Sequence, residues 1–289
     1  MIEPNLIDKI DRELPTQIGI DSDDKIVEHK KLVEAVHKNG SKAVAHINHP
    51  GRMANPKLPG NIYLSPSEVQ CPNGGQKPKA MIIEEIKLVQ RQFIDAAVRA
   101  EQAGYDLIEL QFGLGYLISQ FLSPDTNKRT DEYGGSFTNR MRFGLEILRG
   151  MIKAVELPII IRISGDEKAE GGMTLEDAVE IVKVLEKEKV AAIHVTSGNV
   201  CLSSPWYYQH NFILKGKTWE MSKKIKDNTS LPVIAVGQIT EPADVDKIMG
   251  ENYADFIALG RTLIADPDFV GKYLKIVDGR IRPCLLYTS

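Results

Sequence analysis

The residues of this chain able to do chemistry gather at the ends of six apolar runs. His46, Asn48 and His49 end the first and Gln111 the second. Arg162 and Ser164 end the third, and Thr196, Ser197 and Gly198 the fourth. Gly237 and Gln238 end the fifth, Gly260 and Arg261 the sixth. Arg162 is the sharpest case. It lies in IIIRIS (159–164), a segment apolar enough to be buried on both faces. An unpaired buried cation is too costly to keep, so Arg162 must meet an anion or an electron-rich group. That partner is either an internal carboxylate, with Glu109 the candidate, or a cofactor that gains negative charge on reduction. Gly237-Gln238 and Gly260-Arg261 permit close backbone approach, turn N–H groups outward and add a guanidinium. That is the composition of a phosphate-binding turn.

The elements that must position these residues are legible in the hydrophobic pattern. The runs at 42–49, 105–111, 157–164, 191–197, 231–238 and 254–260 are almost continuously apolar and rich in β-branched residues. Parallel strands covered on both faces read this way. Helical periodicity fills the gaps. Between 83 and 103, Ile86, Val89, Phe93, Ala96, Ala97 and Ala100 recur at three- and four-residue spacing, and Gly104 stops the pattern. Thr174 opens a helix running to about 189, Thr240-Glu-Pro opens another over 241–249, and 24–38 and 139–154 are amphipathic. Alternating strands and helices predict an α/β fold with a parallel sheet. No GxGxxG follows the first strand, which disfavours a dinucleotide-binding open sheet. A (β/α)8 barrel remains, with six complete strands visible and residues 1–4 as the tail of another. The Pro-, Gly- and Asn-rich stretch 50–80 is a long loop at a strand's carboxyl end, where barrel enzymes keep their sites.

Composition narrows the function. Thirty-six Lys and Arg against 39 Asp and Glu, over 289 residues, give a net charge of −3, without the basic surplus of a nucleic-acid binder. No apolar run is long enough for a membrane span, and the first residues lack the pattern of a secretory signal. Three widely spaced cysteines argue against a disulfide scaffold and a self-contained metal site, and Cys71 and Cys201 read as structural. The expectation is a cytoplasmic enzyme acting on a small molecule, with no nucleic-acid or membrane partner and with a homo-oligomer compatible.

Residues 105–149 contain GYLISQFLSPDTNKRTDEYGGSFTNRMRF. This segment resembles the Old Yellow Enzyme family of NADH:flavin oxidoreductases, as do HPGR at 49–52, Gly260-Arg261 with ADPD at 265–268, and IRPC at 281–284. The resemblance spans nearly the whole chain. It implies a TIM barrel binding FMN, with NAD(P)H as donor. By position, Arg162 falls beside the flavin N1/O2 edge, and Gly237, Gln238, Gly260 and Arg261 fall on its phosphate. His46 stands where the family has a Gln on the flavin pyrimidine. Tyr116 matches the tyrosine that protonates the substrate.

The departures bear on substrate. The family's His-x-x-His or His-x-x-Asn carbonyl anchor is Gln111-Phe-Gly-Leu114 here. In the 2,4-dienoyl-CoA reductase branch the loop after the sixth barrel strand adds a histidine. Here that loop is aromatic, with Trp206, Tyr207, Tyr208 and His210 as candidates for that position and Tyr207 and His210 as the substrate contacts taken from it. Such a loop equally suits a methylated amine through cation–π contact, as in the trimethylamine dehydrogenase branch. In the iron–sulfur members the position of Cys284 opens a cluster motif, which implies a 4Fe-4S cluster and, further on, an FAD-binding domain in the longer protein. The expected function is reduction of an activated C=C bond. The alternatives are oxidative N-demethylation of a methylated amine or betaine, and a catalytically silent barrel fragment. The expected organisation is a partial FMN-binding barrel over 1–280 and the start of an iron–sulfur segment over 281–289. The first strand and most of the second would be missing, and the closing CLLYTS reads as translated adapter sequence.

Overall fold

A computed structural model describes residues 5–9, 12–58, 60–73, 75–210 and 212–284. The strands, in chain order, are β1 (Asn5–Leu6), β2 (Val44–Asn48), β3 (Leu64–Ser65), β4 (Lys79–Ala80), β5 (Leu107–Gln111), β6 (Ile159–Ser164), β7 (Val190–Thr196), β8 (Val233–Val236) and β9 (Phe256–Ala258). The helices are α1 (Ile26–Lys38), α2 (Ile83–Gln102), α3 (Leu117–Leu122), α4 (Phe137–Ala154), α5 (Leu175–Leu185), α6 (Ser204–Tyr207), α7 (Lys217–Lys226), α8 (Pro242–Gly250), α9 (Arg261–Ala265) and α10 (Phe269–Tyr273).

Seven strands form one parallel sheet in the order β1-β2-β5-β6-β7-β8-β9, and β3 and β4 make a separate two-stranded ribbon within the loop after β2. This is the strand succession of a (β/α)8 barrel, one strand short of eight. Among the described residues no strand joins β1 to β9. The six apolar runs became β2 and β5 to β9. The strand expected at residues 1–4 lies outside the described residues; the strand seen beside β2 is Asn5–Leu6, in register with Ile47 and Asn48.

Helix α2 buries the predicted stripe of Ile86, Val89, Phe93, Ala96, Ala97 and Ala100. Thr174 caps α5 through a reciprocal bond with Asp177, but the helix ends at Leu185, four residues early. The cap of α8 is Glu241 rather than Thr240, with Pro242 at the first helical position. The Asp244 carboxylate closes this end of the helix by accepting the N–H groups of Glu241 at 3.1 Å and Thr240 at 2.8 Å, while Asp244 N–H bonds the Glu241 carbonyl at 3.0 Å.

The two cysteines read as structural have a partner that their spacing did not show. Cys71 and Cys201 are 130 residues apart and form a disulfide between the loop after β2 and the loop after β7. Asn73 Nδ2 reinforces the clasp by donating to Val200 O at 2.8 Å and Ser204 Oγ at 3.0 Å.

Candidate active site

The parallel sheet brings the carboxyl ends of its strands to one side, so the polar run-ends converge. At the centre lies a buried ionic cluster. Register sets His46 of β2 opposite Glu109 of β5, and Arg162 of β6 opposite His194 of β7. Glu109, with no solvent exposure, accepts from His194 Nδ1 at 2.6 Å, and its other oxygen pairs with His46 Nδ1 at 2.8 Å. Both imidazoles hold its carboxyl well below the usual range against the opposing pull of burial. Burial pushes His46 down, toward the neutral ring. Its N–H is therefore committed to Glu109, and its Nε2 lone pair faces Gln111 Nε2 at 3.4 Å. The expectation that His46 donates to a bound ring meets this constraint: in the neutral form Nε2 accepts.

Arg162 does find Glu109, but at 3.8 Å from Nη1 to Oε1, beyond hydrogen-bond range, and 22% of its side chain stays exposed. Its buried Nε has no hydrogen-bond partner among the described residues. The guanidinium is thus only part-compensated, and it lines a cavity of about 210 Å³ shared with Tyr207, Gly237, Gly260 and Arg261. At Gly237 φ is +102°, a backbone conformation that strains any residue with a Cβ, so glycine is favoured there. The Gln238 side chain is turned away to donate to His210 O and Ile213 O, leaving its backbone as its contribution. A larger cavity, about 920 Å³, lies between β1, α1 and α2 and is lined by none of the candidate residues.

The segment after β5 folds back over this region. Gly113 packs so tightly on β6 that a Cβ would sit 2.4 Å from Ser164 N. Leu114 is held at φ +65°, a strained conformation for a leucine, by donation of its N–H to Ser164 Oγ at 2.8 Å and by Val200 N–H on its carbonyl at 3.1 Å. This turn delivers Tyr116 to the start of α3, buried, with its hydroxyl 3.2 Å from that of Tyr207. Burial, with Glu13 and Tyr207 nearby, pushes the Tyr116 phenol well above its ordinary value, so it stays protonated. Burial raises the carboxyl of Glu13, from the segment before α1, to about 7, with Tyr116 and His49 nearby pulling it back down.

Of the aromatic loop, Tyr207 reaches the site, with Tyr208 edge-on at 4.7 Å. His210 instead stacks on Phe212 at 4.4 Å and lines no part of the cavity. Cys284 is a buried free thiol, and the described residues hold no cluster of three His, Cys, Asp or Glu able to bind a metal. Sequence reasoning did not single out His194 or Glu13. His194 carried the signal that exposed Arg162, a titratable side chain inside an apolar run; Glu13 carried none.

The family model of the NADH:flavin oxidoreductase / NADH oxidase family matches residues 5–278. The chain belongs to this family. It is 41% identical to an NADH oxidase of Thermoanaerobacter brockii over 95% of this chain and 42% of that protein. The chain thus spans about two fifths of the length of that relative. Among solved structures it superposes on 2-naphthoyl-CoA reductase in complex with 2-naphthoyl-CoA, with a TM-score of 0.90 and 26% identity, over 97% of this chain and 45% of that one. It also superposes on histamine dehydrogenase from Rhizobium sp. 4-9, with a TM-score of 0.84 and 27% identity, over 95% and 40%. The barrel fold and a flavin-family site agree with the part-compensated Arg162 and the Gly237 cradle. No described helix is long and apolar enough to cross a membrane.

Proposed function

We propose that this chain is the FMN-binding barrel of an NAD(P)H-dependent oxidoreductase that reduces a C=C bond activated by a neighbouring electron-withdrawing group. The observation that carries this reading is the buried Tyr116 hydroxyl, kept protonated, on the side of the sheet where Arg162 is left short of an anion. FMN, when bound, supplies hydride. Arg162 offers it a cation for charge gained on reduction, and the turns at Gly237-Gln238 and Gly260-Arg261 offer backbone N–H groups and a guanidinium to its phosphate. Tyr116 gives its proton to the alkene carbon that does not receive hydride. Gln111 supplies an amide donor to the activating group; Leu114 supplies none. Cys284 is the one ligand these residues contribute to an iron–sulfur cluster completed elsewhere in a longer protein.

Two substitutions test this in the flavin-loaded protein. Arg162→Ala is expected to weaken FMN binding about 10- to 100-fold, the worth of a charged hydrogen bond, and to lower the flavin potential. Tyr116→Phe is expected to slow alkene turnover about 100- to 10,000-fold, with flavin reduction by NAD(P)H unchanged. Unchanged affinity and potential in the first, or unchanged turnover in the second, contradicts the assignment.

Oxidation of a methylated amine is the second reading. The edge-to-face Tyr207–Tyr208 pair suits a cationic amine, Leu114 removes a carbonyl anchor, and the likeness to histamine dehydrogenase extends over 95% of the chain. Anaerobic bleaching of the flavin by a tertiary amine, with no alkene turnover, would select it.

A further inference from the structure

One buried carboxyl takes no part in the cluster at the barrel centre. Glu167, in the loop after β6, has no solvent exposure and lines no part of the cavity around Arg162. Its Oε1 accepts from Ser119 Oγ at 3.2 Å and from Asn199 Nδ2 at 2.9 Å. Its Oε2 accepts from Ser123 Oγ at 2.6 Å and from Met173 N–H at 2.8 Å. Burial raises this carboxyl from its ordinary value, against the pull of those four bonds. Three segments thus meet on one side chain: helix α3, the loop after β6 and the loop after β7.

Two of these segments carry the phenols of the site. Helix α3 begins directly after Tyr116, and Gln120 N–H returns to Tyr116 O at 2.8 Å. Ser119 and Ser123 are four residues apart along it, which puts both hydroxyls on one face, toward Glu167. In the loop after β7, Asn199 Oδ1 accepts the Cys201 N–H at 2.9 Å, and Asn199 N–H reaches Ser203 Oγ at 2.8 Å. The Ser203 hydroxyl donates to Glu167 O at 2.5 Å, and the Ser203 carbonyl accepts Tyr207 N–H at 3.1 Å.

We propose that Glu167 is a positioning residue that sets the approach of the Tyr116 and Tyr207 hydroxyls, 3.2 Å apart, by tying the helix that follows one to the loop that carries the other. Its effect on rate rests on Tyr116 being the proton donor to substrate. The tie needs an acceptor at both carboxyl oxygens. The two serine hydroxyls can turn and accept instead. Met173 N–H can only donate, and Asn199 cannot turn its amide over without pointing Nδ2 at the Cys201 N–H. A glutamine at position 167 therefore sets N–H against N–H at one of the two in either orientation. A buried donor left unmatched is costly, so the segment that carries it shifts. Asn199→Asp in the same chain removes the conflict: the new amide donates to the new carboxylate, whose other oxygen still accepts the Cys201 N–H.

The test uses the flavin-loaded protein, Glu167→Gln, and the double variant Glu167→Gln with Asn199→Asp. Reoxidation of the reduced flavin by an alkene should slow about 10- to 100-fold in Glu167→Gln, the cost of a misplacement near 1 Å, and most of that rate should return in the double variant. The solvent deuterium isotope effect on this step should rise in Glu167→Gln, because proton transfer from a displaced phenol becomes limiting. A loss of folded protein alone lowers the active fraction and leaves the isotope effect as it was. A fluorotyrosine incorporated at Tyr207 reports the phenol pair without turnover. Its fluorine NMR line should shift in Glu167→Gln, return in the double variant, and shift also in Tyr116→Phe, which removes its hydroxyl partner. Where Glu167→Gln does not fold, Ser123→Ala, which removes one of the four bonds, should move the line and raise the isotope effect in the same direction. A fluorine line that stays in place, a double variant no faster than Glu167→Gln, or a rate loss at constant isotope effect overturns the proposal. A line that behaves as stated, in a protein whose Tyr116→Phe variant reduces alkenes normally, overturns the role of Tyr116 instead.

Discussion

Glu109→Gln keeps the shape of the side chain at the barrel centre and removes its charge. The carboxylate accepts one imidazole N–H at 2.6 Å, pairs with a second imidazole at 2.8 Å, and is the anion that Arg162 approaches at 3.8 Å. A carboxamide has one oxygen and presents N–H where the second imidazole also presents N–H. One histidine must change tautomer or lose its partner. A charged hydrogen bond is worth about 1.5–3 kcal/mol, and Arg162 is exposed enough to recover part of its loss in water, so a destabilisation of about 2–4 kcal/mol is expected. In urea at pH 7 this should lower the unfolding midpoint by about 1 M with the slope unchanged. The sign with pH follows from the lowered Glu109 value. Its contribution is fully present above the unfolded value of 4.5 and is lost as pH falls through the lower folded value. Neutral burial of His46 acts in the same sense, because below 6.5 the unfolded ring binds a proton that the folded ring resists. The gap between parent and variant should therefore persist down to about pH 4.5 and close below it. A midpoint within about 0.3 M of the parent at pH 7, or a gap untouched by acid, would refute the charged cluster.

Two further substitutions probe the frame around the site. Cys71→Ser should lower stability by about 2–4 kcal/mol, and denatured parent protein should show two more thiols after reduction than before; a parent with three free thiols would exclude the Cys71–Cys201 bridge. Gly237→Ala, at φ +102° and against Gln209, should weaken FMN binding measurably by fluorescence quenching, and parent-like affinity would mean that this turn does not approach the phosphate.

How far the sequence reached depends on the range of the physics involved. Strand runs are local, so all six were visible, as was the buried stripe of α2. The exposure of Arg162 as an unusual charge was also local. Its environment was not, because it depends on which residues lie opposite across the sheet. Nothing in LIELQ or AAIHVTS states that Glu109 would face His46, or that Arg162 would face His194; parallel register supplies both. The disulfide is the extreme case, two cysteines joined over 130 residues by the meeting of two loops. Glu13 sits in a polar, irregular segment with no period, and bonds from Asn55, Asn61 and Gln17 hold that segment against the loop after β2. The loop 203–212 offered four plausible aromatic or imidazole contacts. The short helix α6 turns Tyr207 to the site and leaves His210 on Phe212.

The two departures from the family pattern nearest the barrel centre form one physical unit. The resemblance places Gln at position 46 and His at position 111; this chain has His46 and Gln111, the same side-chain types exchanged. With Glu109 taking the Nδ1 proton, His46 can only accept at Nε2, and Gln111 meets it with its amide nitrogen at 3.4 Å. The amide oxygen is occupied by Gly113 N–H at 3.1 Å, so the orientation of Gln111 is set from both ends. A histidine at 111 would present a second ring nitrogen to the His46 lone pair and could not also accept from Gly113 in the same way. On the function proposed above, the donor offered to substrate at 111 is then one amide N–H rather than an imidazole pair. The companion position holds Leu114 in a strained turn that contributes packing alone. A site with one weak carbonyl donor must take more of its orientation from shape, and the shape on that side is the wall made by Tyr116 and Tyr207, whose hydroxyls lie 3.2 Å apart. Broad, flat substrates that fill such a wall should therefore outcompete small enones of equal electrophilicity, and kcat/KM for the two classes measured on one flavin-loaded preparation decides it: a preference for the small enones would mean that Gln111 anchors as strongly as the histidine it replaces.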